Sequence, residues 1–185
     1  QVIHSGNIDP WTSFDTNCVT ALGCTNPTAF NYDSTATIND GSCNYGKTYV
    51  PDDAFEAYLE TNGMGDGIFP NDSVLNLNIM TVGYLNVSSQ NIFDLTGIEG
   101  FTSLQYLYCG HNQLTNLDLS QNTSLHNLEC AHNQLISLDL SQNTSLHELS
   151  CQDNQLTSLD LGNNTVLTYL YCYNNQLTSL DVSQN

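Results

Sequence analysis

LQYLYCGHNQLTNLDLSQNTS, residues 104–124, is followed without a break by LHNLECAHNQLISLDLSQNTS (125–145), LHELSCQDNQLTSLDLGNNTV (146–166) and LTYLYCYNNQLTSLDVSQN (167–185). Leu104, Leu125, Leu146 and Leu167 open units with a period of 21 residues. A fixed period of this length marks a unit stacked on copies of itself, because one unit cannot bury its own apolar side. Side chains alternate along a strand, so Leu107 and Cys109 point inward while Tyr106 and Tyr108 point out. Stacking places such strands parallel, roughly 4.8 Å apart. Leu114, Leu117 and Leu119, with their counterparts, fill the other side of the coil. Asn112, Asn133, Asn154 and Asn175 recur where the chain leaves the strand. A buried amide there can satisfy backbone groups that water does not reach.

The pattern L-x-x-L-x-C-x-x-N-x-L resembles the leucine-rich repeat, with Cys in place of one Leu. The resemblance implies an α/β solenoid with parallel β-strands on one face. It says little about function.

Four regions follow from composition. Residues 1–23 have no period and read as an N-terminal arm, with Trp11 and Phe14 as isolated aromatics. Residues 24–46 are rich in turn signals: Asn26-Pro27, Tyr32-Asp33 and Asp40-Gly41. Their run CTNPTAFNYDSTATINDGSC resembles a short Cys-bounded module of secreted Bacteroidetes proteins. So small a segment cannot hold a core, so a Cys24–Cys43 bridge is the expected staple. Closing such a loop contributes on the order of 3 kcal/mol. Cys18 is then left over.

Residues 47–80 read as the N-terminal cap of the solenoid. A helix is expected over residues 49–63, with Pro51 at its start, Asp52 and Asp53 at its positive end and Gly63 as its stop. The alternation in Val74-Leu-Asn-Leu-Asn-Ile79 predicts a half-buried strand. Residues 81–185 are the repeats. The run from Tyr49 to Leu104 also resembles the cap and first repeat of secreted Bacteroidetes leucine-rich repeat proteins. In that first unit Val87 replaces the later Cys, and Asn91 is expected to begin the Asn ladder after one extra residue. Phe93-Asp94-Leu95 stands where later units have Leu-Asp-Leu.

The 185 residues carry one Lys or Arg (Lys47) against 19 Asp and Glu, a formal net charge of -18. Nucleic acid and anionic membrane surfaces both need basic patches, so neither is expected as a partner. No apolar run is long enough to span a membrane. The start at Gln1 suits a mature, secreted or cell-surface form.

Cys109, Cys130, Cys151 and Cys172 form a column with one thiol per repeat. They read as reduced, small core hydrophobes, with zinc binding or disulfide pairing as the alternatives. Asp33, Asn39 and Asp40 are weak calcium candidates against a plain turn-capping role; no other cofactor or metal is indicated. Ser34 and Ser73 match the short Asp-Ser glycosylation signal of the resembled phylum. The Asn-x-Ser/Thr matches at Asn122, Asn143 and Asn163 fall on repeat turns. His126 and His147 share one column, and His111 and His132 another; both read as surface histidines. Asp118, Asp139, Asp160 and Asp181 form a further column. Their repulsion is expected to be offset by hydrogen bonds from the backbone and from Asn116, Ser137, Ser158 and Ser179, with a bound cation as the alternative.

The outward strand positions place tyrosines around an acidic centre. Tyr106, Tyr108, Glu129, Glu148, Tyr169, Tyr171 and Tyr173 are the partner-binding candidates. No nucleophile, oxyanion or phosphate-loop motif accompanies them, so no catalysis is expected. The sequence therefore implies a non-catalytic adhesion or assembly protein, working through protein–protein contacts. The repeats run in phase to Asn185, so the open end is expected to be covered by further chain or by another subunit. The second option gives a head-to-tail filament, and the arm of residues 1–23 is one candidate cover. The alternative is a module recognising a glycan or a peptide on its Tyr/Glu face.

Overall fold

A computed structural model of the chain describes residues 21–27 and 29–185, in two compact units divided after Tyr45. In the first, β1 (Leu22–Gly23) runs parallel to β2 (Ile38–Asn39). Cys24 and Cys43 are bridged, with Cα atoms 4.7 Å apart. Asn31 ties the loop, accepting from the Asn44 N–H (2.7 Å) and donating to the Ser42 carbonyl (2.6 Å). Leu22 and Gly23, expected in the arm, are thus built into the module by strand pairing. Trp11, Phe14 and Cys18 lie outside the described residues.

The second unit begins with a cap. β3 (Lys47–Tyr49) pairs antiparallel with β4 (Ser73–Leu75), and α1 (Asp53–Thr61) lies between them in the chain. The helix is shorter than expected at both ends, because Asp52 is its N-cap and leaves Pro51 outside. One Asp52 oxygen accepts from the N–H groups of Ala54 (2.9 Å) and Phe55 (3.0 Å). The other accepts from Phe93 (2.8 Å) and Asp94 (3.0 Å) in the first coil. Phe55 stacks on Phe101 at 6.3 Å.

The strand expected over Val74–Ile79 stops at Leu75, and Asn76–Ile79 forms a helical turn, α2. Val74 and Ile79 are both fully buried. They are five residues apart, so a strand would send them to opposite faces. The helical turn brings Ile79 back to the core, at the expense of exposing Leu77.

The repeats form one parallel sheet: β5 (Tyr84–Asn86), β6 (Tyr106–Tyr108), β7 (Asn127–Glu129), β8 (Glu148–Ser150) and β9 (Tyr169–Tyr171). Leu85, Leu107, Leu128 and Leu149 are buried in register, as are Val87, Cys109, Cys130 and Cys151. Leu114, Leu117 and Leu119 and their counterparts close the core from the other side.

Two expectations for the first coil are corrected. The Asn112 amide accepts from the Ile92 N–H just as the Asn133 amide accepts from that of Leu114, so Ile92 takes the place of Leu114. The ladder therefore begins at Asn112, and Asn91 is only a left-handed turn residue (φ 61°). The extra residue lies later, before the 3-10 turn Ile98–Gly100. Phe93 is exposed, and Leu95 occupies the buried position of Leu117.

Each ladder Asn joins two coils. Asn133 donates to the carbonyls of Cys109 and Cys130 (both 3.1 Å) and accepts from the Leu114 N–H (3.0 Å). Asn154 and Asn175 repeat the pattern one and two coils on. A second ladder, Asn122, Asn143, Asn164 and Asn185, runs along the other side. Asn143 donates to the carbonyls of Leu119 and Asn122 (3.1 and 3.0 Å). Asn122, Asn143 and Asn164 are fully buried. Asn122 and Asn143 thus belong to the core and are not free surface turns. Asn163 alone is exposed, and it donates to the Ser141 carbonyl.

The Asp column is held by backbone. Asp118, Asp139, Asp160 and Asp181 each accept, at 2.9 Å, from the N–H two residues on. The donors belong to Ser120, Ser141, Gly162 and Ser183, and not to the side chains of Asn116, Ser137, Ser158 and Ser179. These bonds hold the carboxyls of Asp118, Asp139 and Asp181 below the usual range, with Asp139 opposing the effect at Asp118. In the last coil Leu170, Cys172 and Leu177 are half-buried. Leu180 and Val182 are exposed where Leu159 and Leu161 are buried.

Asn133→Ala strands the Leu114 N–H and two carbonyls, so a loss of roughly 3–5 kcal/mol is expected in urea unfolding. Asn133→Asp removes the two donors and is expected to be no better. Lowered carboxyl pKa values stabilise above the unfolded value of about 3.9 and lose that contribution as pH falls through the folded value. The melting temperature should therefore hold from pH 7 to about 5 and fall below about pH 4, and added NaCl should raise it at neutral pH.

Candidate functional site

Strand register sets two outward columns. The first is Tyr84, Tyr106, Asn127, Glu148 and Tyr169; the second is Asn86, Tyr108, Glu129, Ser150 and Tyr171. Tyr84 was not among the residues singled out from sequence. Its ring lies 6.5 Å from Tyr106 and 5.5 Å from Tyr108, which makes a three-ring cluster at the cap end of the sheet. The signal was the Tyr84-Leu85-Asn86 triplet, whose likeness to Tyr106-Leu107-Tyr108 is displaced by the longer first coil.

The two glutamates are held differently. Glu129 accepts from the Gly110 and Ala131 N–H groups, both at 3.2 Å. A Cβ on Gly110 would collide with its carboxylate, so glycine there makes room for the glutamate. Glu148 accepts from the Asn127 amide at 2.6 Å through one oxygen. Its other oxygen receives no hydrogen bond among the described residues. Burial pushes the Tyr108 phenol up, and Tyr84, Glu148, Tyr106 and Glu129 add to that.

A shallow depression of about 340 Å³ brings Tyr106, Glu148 and Tyr169 together with Asn127, His126 and His147. Tyr171 and Tyr173 are exposed but do not line it, and neither does Glu129. Larger hollows of about 430 and 350 Å³ lie away from the strands, between Asp139 and its neighbours in the Asp column. They recur once per coil gap and follow from stacking alone. The one lysine, Lys47, is paired with Asp66 in the cap.

The histidines have a backbone explanation. His111 and His132 occupy left-handed positions (φ 54°) where the chain leaves the strand, followed in later coils by Asp153 and Asn174. His, Asp and Asn are the side chains that tolerate this region best. The two rings stack at 4.1 Å, and His132 Nδ1 lies 3.5 Å from Asp153. His126 and His147 stack at 5.6 Å beside the depression.

The remaining candidates are dispersed. Asp33, Asn39 and Asp40 each use one oxygen to cap the N–H two residues on, at Thr35, Gly41 and Ser42. Ser34 is exposed. The Ser73 hydroxyl donates to Asn71 and lies 3.4 Å from the Lys47 ammonium. All four column cysteines are unbridged. Burial raises each thiol: Cys151 to about 12, and Cys109 and Cys130 well above the ordinary thiol value. Cys172, in the last of the four units, is raised and half-buried.

Comparison with known proteins places this geometry. Residues 144–185 match the family described as Leucine Rich repeats (2 copies). Internalin J of Listeria monocytogenes is 35% identical over 87 residues, covering 47% of this chain and 9% of that protein. The functional domain of InlJ from the same organism, described as including a cysteine ladder, superposes with a TM-score of 0.69 at 38% identity. That match covers 76% of this chain and 31% of the other. Internalin C2 of L. monocytogenes gives a TM-score of 0.54 at 30% identity, over 58% of this chain and 48% of its own. The fold is the leucine-rich repeat solenoid of these bacterial proteins. The chain spans only a small part of the full length of Internalin J.

A buried thiol with a raised pKa forms thiolate, the reactive species, less readily. Alkylation of the native protein at pH 8 is expected to leave Cys109, Cys130 and Cys151 unmodified and to label Cys172 first. Denaturant should release all four, as mass spectrometry would show. Modification of Cys130 without unfolding would contradict the packing described above.

Proposed function

We propose that the chain is a non-catalytic, surface-exposed recognition and adhesion module that engages a protein partner through its strand face. The observation that carries this is the outward pair of columns, in which five tyrosines surround Glu129 and Glu148 on a rigid sheet. Tyrosine supplies a large contact area with little loss of side-chain freedom and is enriched at interfaces. A carboxylate pair tied to backbone and to Asn127 is positioned for contact and not for proton transfer. The likeness to internalins supports an interaction and adhesion role at a bacterial surface. Among the described residues no helix is long and apolar enough to cross a membrane.

A second reading, head-to-tail assembly, draws on the exposed Leu180 and Val182 of the coil of residues 167–185. The strand face offers an ordered set of rings and carboxylates and the last coil only exposed apolar side chains, so strand-face recognition stands first and assembly second. Sedimentation of the purified chain separates them: polymers in dilute buffer without a partner would favour assembly.

The strand-face reading is tested by retention of labelled chain on arrays of immobilised proteins and glycans. Tyr106→Ser with Tyr169→Ser should lower retention on any responding target by about tenfold. Tyr49→Ser, about as exposed as Tyr169 but on the cap, should leave it unchanged. Equal retention by both variants would reject the reading.

A further inference from the structure

We propose that the depression between Tyr106 and Tyr169 seats a lysine or arginine side chain from a basic segment of the protein partner. The inference rests on the strand-face reading above and names the partner's chemistry. The strands carrying Tyr106 and Tyr169 are three steps apart, roughly 14 Å. Asn127 and Glu148 form the floor between them, and Asn127 donates to Glu148 at 2.6 Å. That bond leaves the other Glu148 oxygen without a donor among the described residues.

Charge complementarity selects the occupant. Lys47 is the chain's one lysine or arginine and is engaged by Asp66. The carboxylates of the strand face therefore have no lysine or arginine of the chain itself to pair with; the basic groups of the chain beside Glu148 are the imidazoles of His126 and His147 that line the depression. Phenol rings flanking a carboxylate attract a cation through their faces while the carboxylate takes its donors. A guanidinium or an ammonium on an aliphatic stem uses all three features: rings for the stem, ring faces and carboxylate for the head. A neutral sugar could stack on the tyrosines but would leave Glu148 without a counter-charge. The overall charge of -18 steers a basic partner toward the chain from a distance, and the depression supplies the local selection.

The probes are blocked tetrapeptides of arginine, lysine, acetyl-lysine and glutamate, with a neutral glucose tetrasaccharide, measured by calorimetry at about physiological salt. The arginine and lysine peptides should bind, and the acetyl-lysine and glutamate peptides should not. Glu148→Gln, Tyr106→Ala and Tyr169→Ala should each weaken binding by at least about fivefold. Asp139→Asn removes the same charge from the Asp column and should change affinity by less than about twofold. Circular dichroism melts would confirm that every variant is folded, and Tyr106→Phe should retain binding.

An equal effect of Glu148→Gln and Asp139→Asn would mean diffuse attraction alone and would overturn the proposal. So would the absence of basic-peptide binding at millimolar concentration. Tetrasaccharide binding that is lost in the tyrosine variants would overturn the basic-partner proposal while leaving the strand-face reading in place. Failure of the strand-face reading itself would show as unchanged retention on the arrays.

Discussion

The structure depends on satisfying backbone polar groups inside coils that carry no helix opposite the strand. Each coil turns sharply out of its short strand, and the turn buries carbonyls and N–H groups away from water. The ladder Asn residues meet that demand with one side chain that donates twice and accepts once across the coil gap. A leucine would fill the volume but strand three groups, and an aspartate would lose the donors. The second ladder serves the carbonyls of the opposite turn. The leucines and cysteines supply the driving force for stacking, whereas the amides decide how the stack is aligned.

What was legible in sequence was what repeats. Period, inward Leu and Cys, outward Tyr and the first Asn ladder all follow from alternation and phase. The second ladder was equally periodic, at Asn122, Asn143, Asn164 and Asn185, but its overlap with Asn-x-Ser/Thr matches drew attention to the wrong property. Non-repeating segments were harder. Val74-Leu-Asn-Leu-Asn-Ile79 has the alternation of a strand, yet burial of both Val74 and Ile79 overrides it. In the first coil Asn91 imitates a ladder residue by type, while the hydrogen bond from Ile92 shows that it lies one place off. Tyr84 escaped notice for the same reason.

The strand face is rigid for reasons that lie beneath it. Tyr106 and Glu148 sit between buried leucines, so their directions are set by the core. Glu129 lies flat against the backbone because Gly110 has no side chain to keep it off. Tyr108 packs against the ring of Tyr84. Such a surface changes character by substitution at outward positions alone, since none of them contributes to the ladders or to the core.

The first coil is the one place where the solenoid is not interchangeable. Gly97 adopts φ 106°, and a side chain there would run into Val50 and the Tyr49 carbonyl; one at Gly100 would meet Ile79 and Thr48. The longer coil is therefore shaped to the cap, and Asp52 locks the two together. Beyond it every coil presents the same edge that it receives. Whole coils of 21 residues inserted behind the first would therefore keep both ladders in phase, whereas the one coil of another length, the first, carries its extra residue between the two ladders and leaves both intact. The molecule's reach can grow coil by coil, while its cap stays single and fixed.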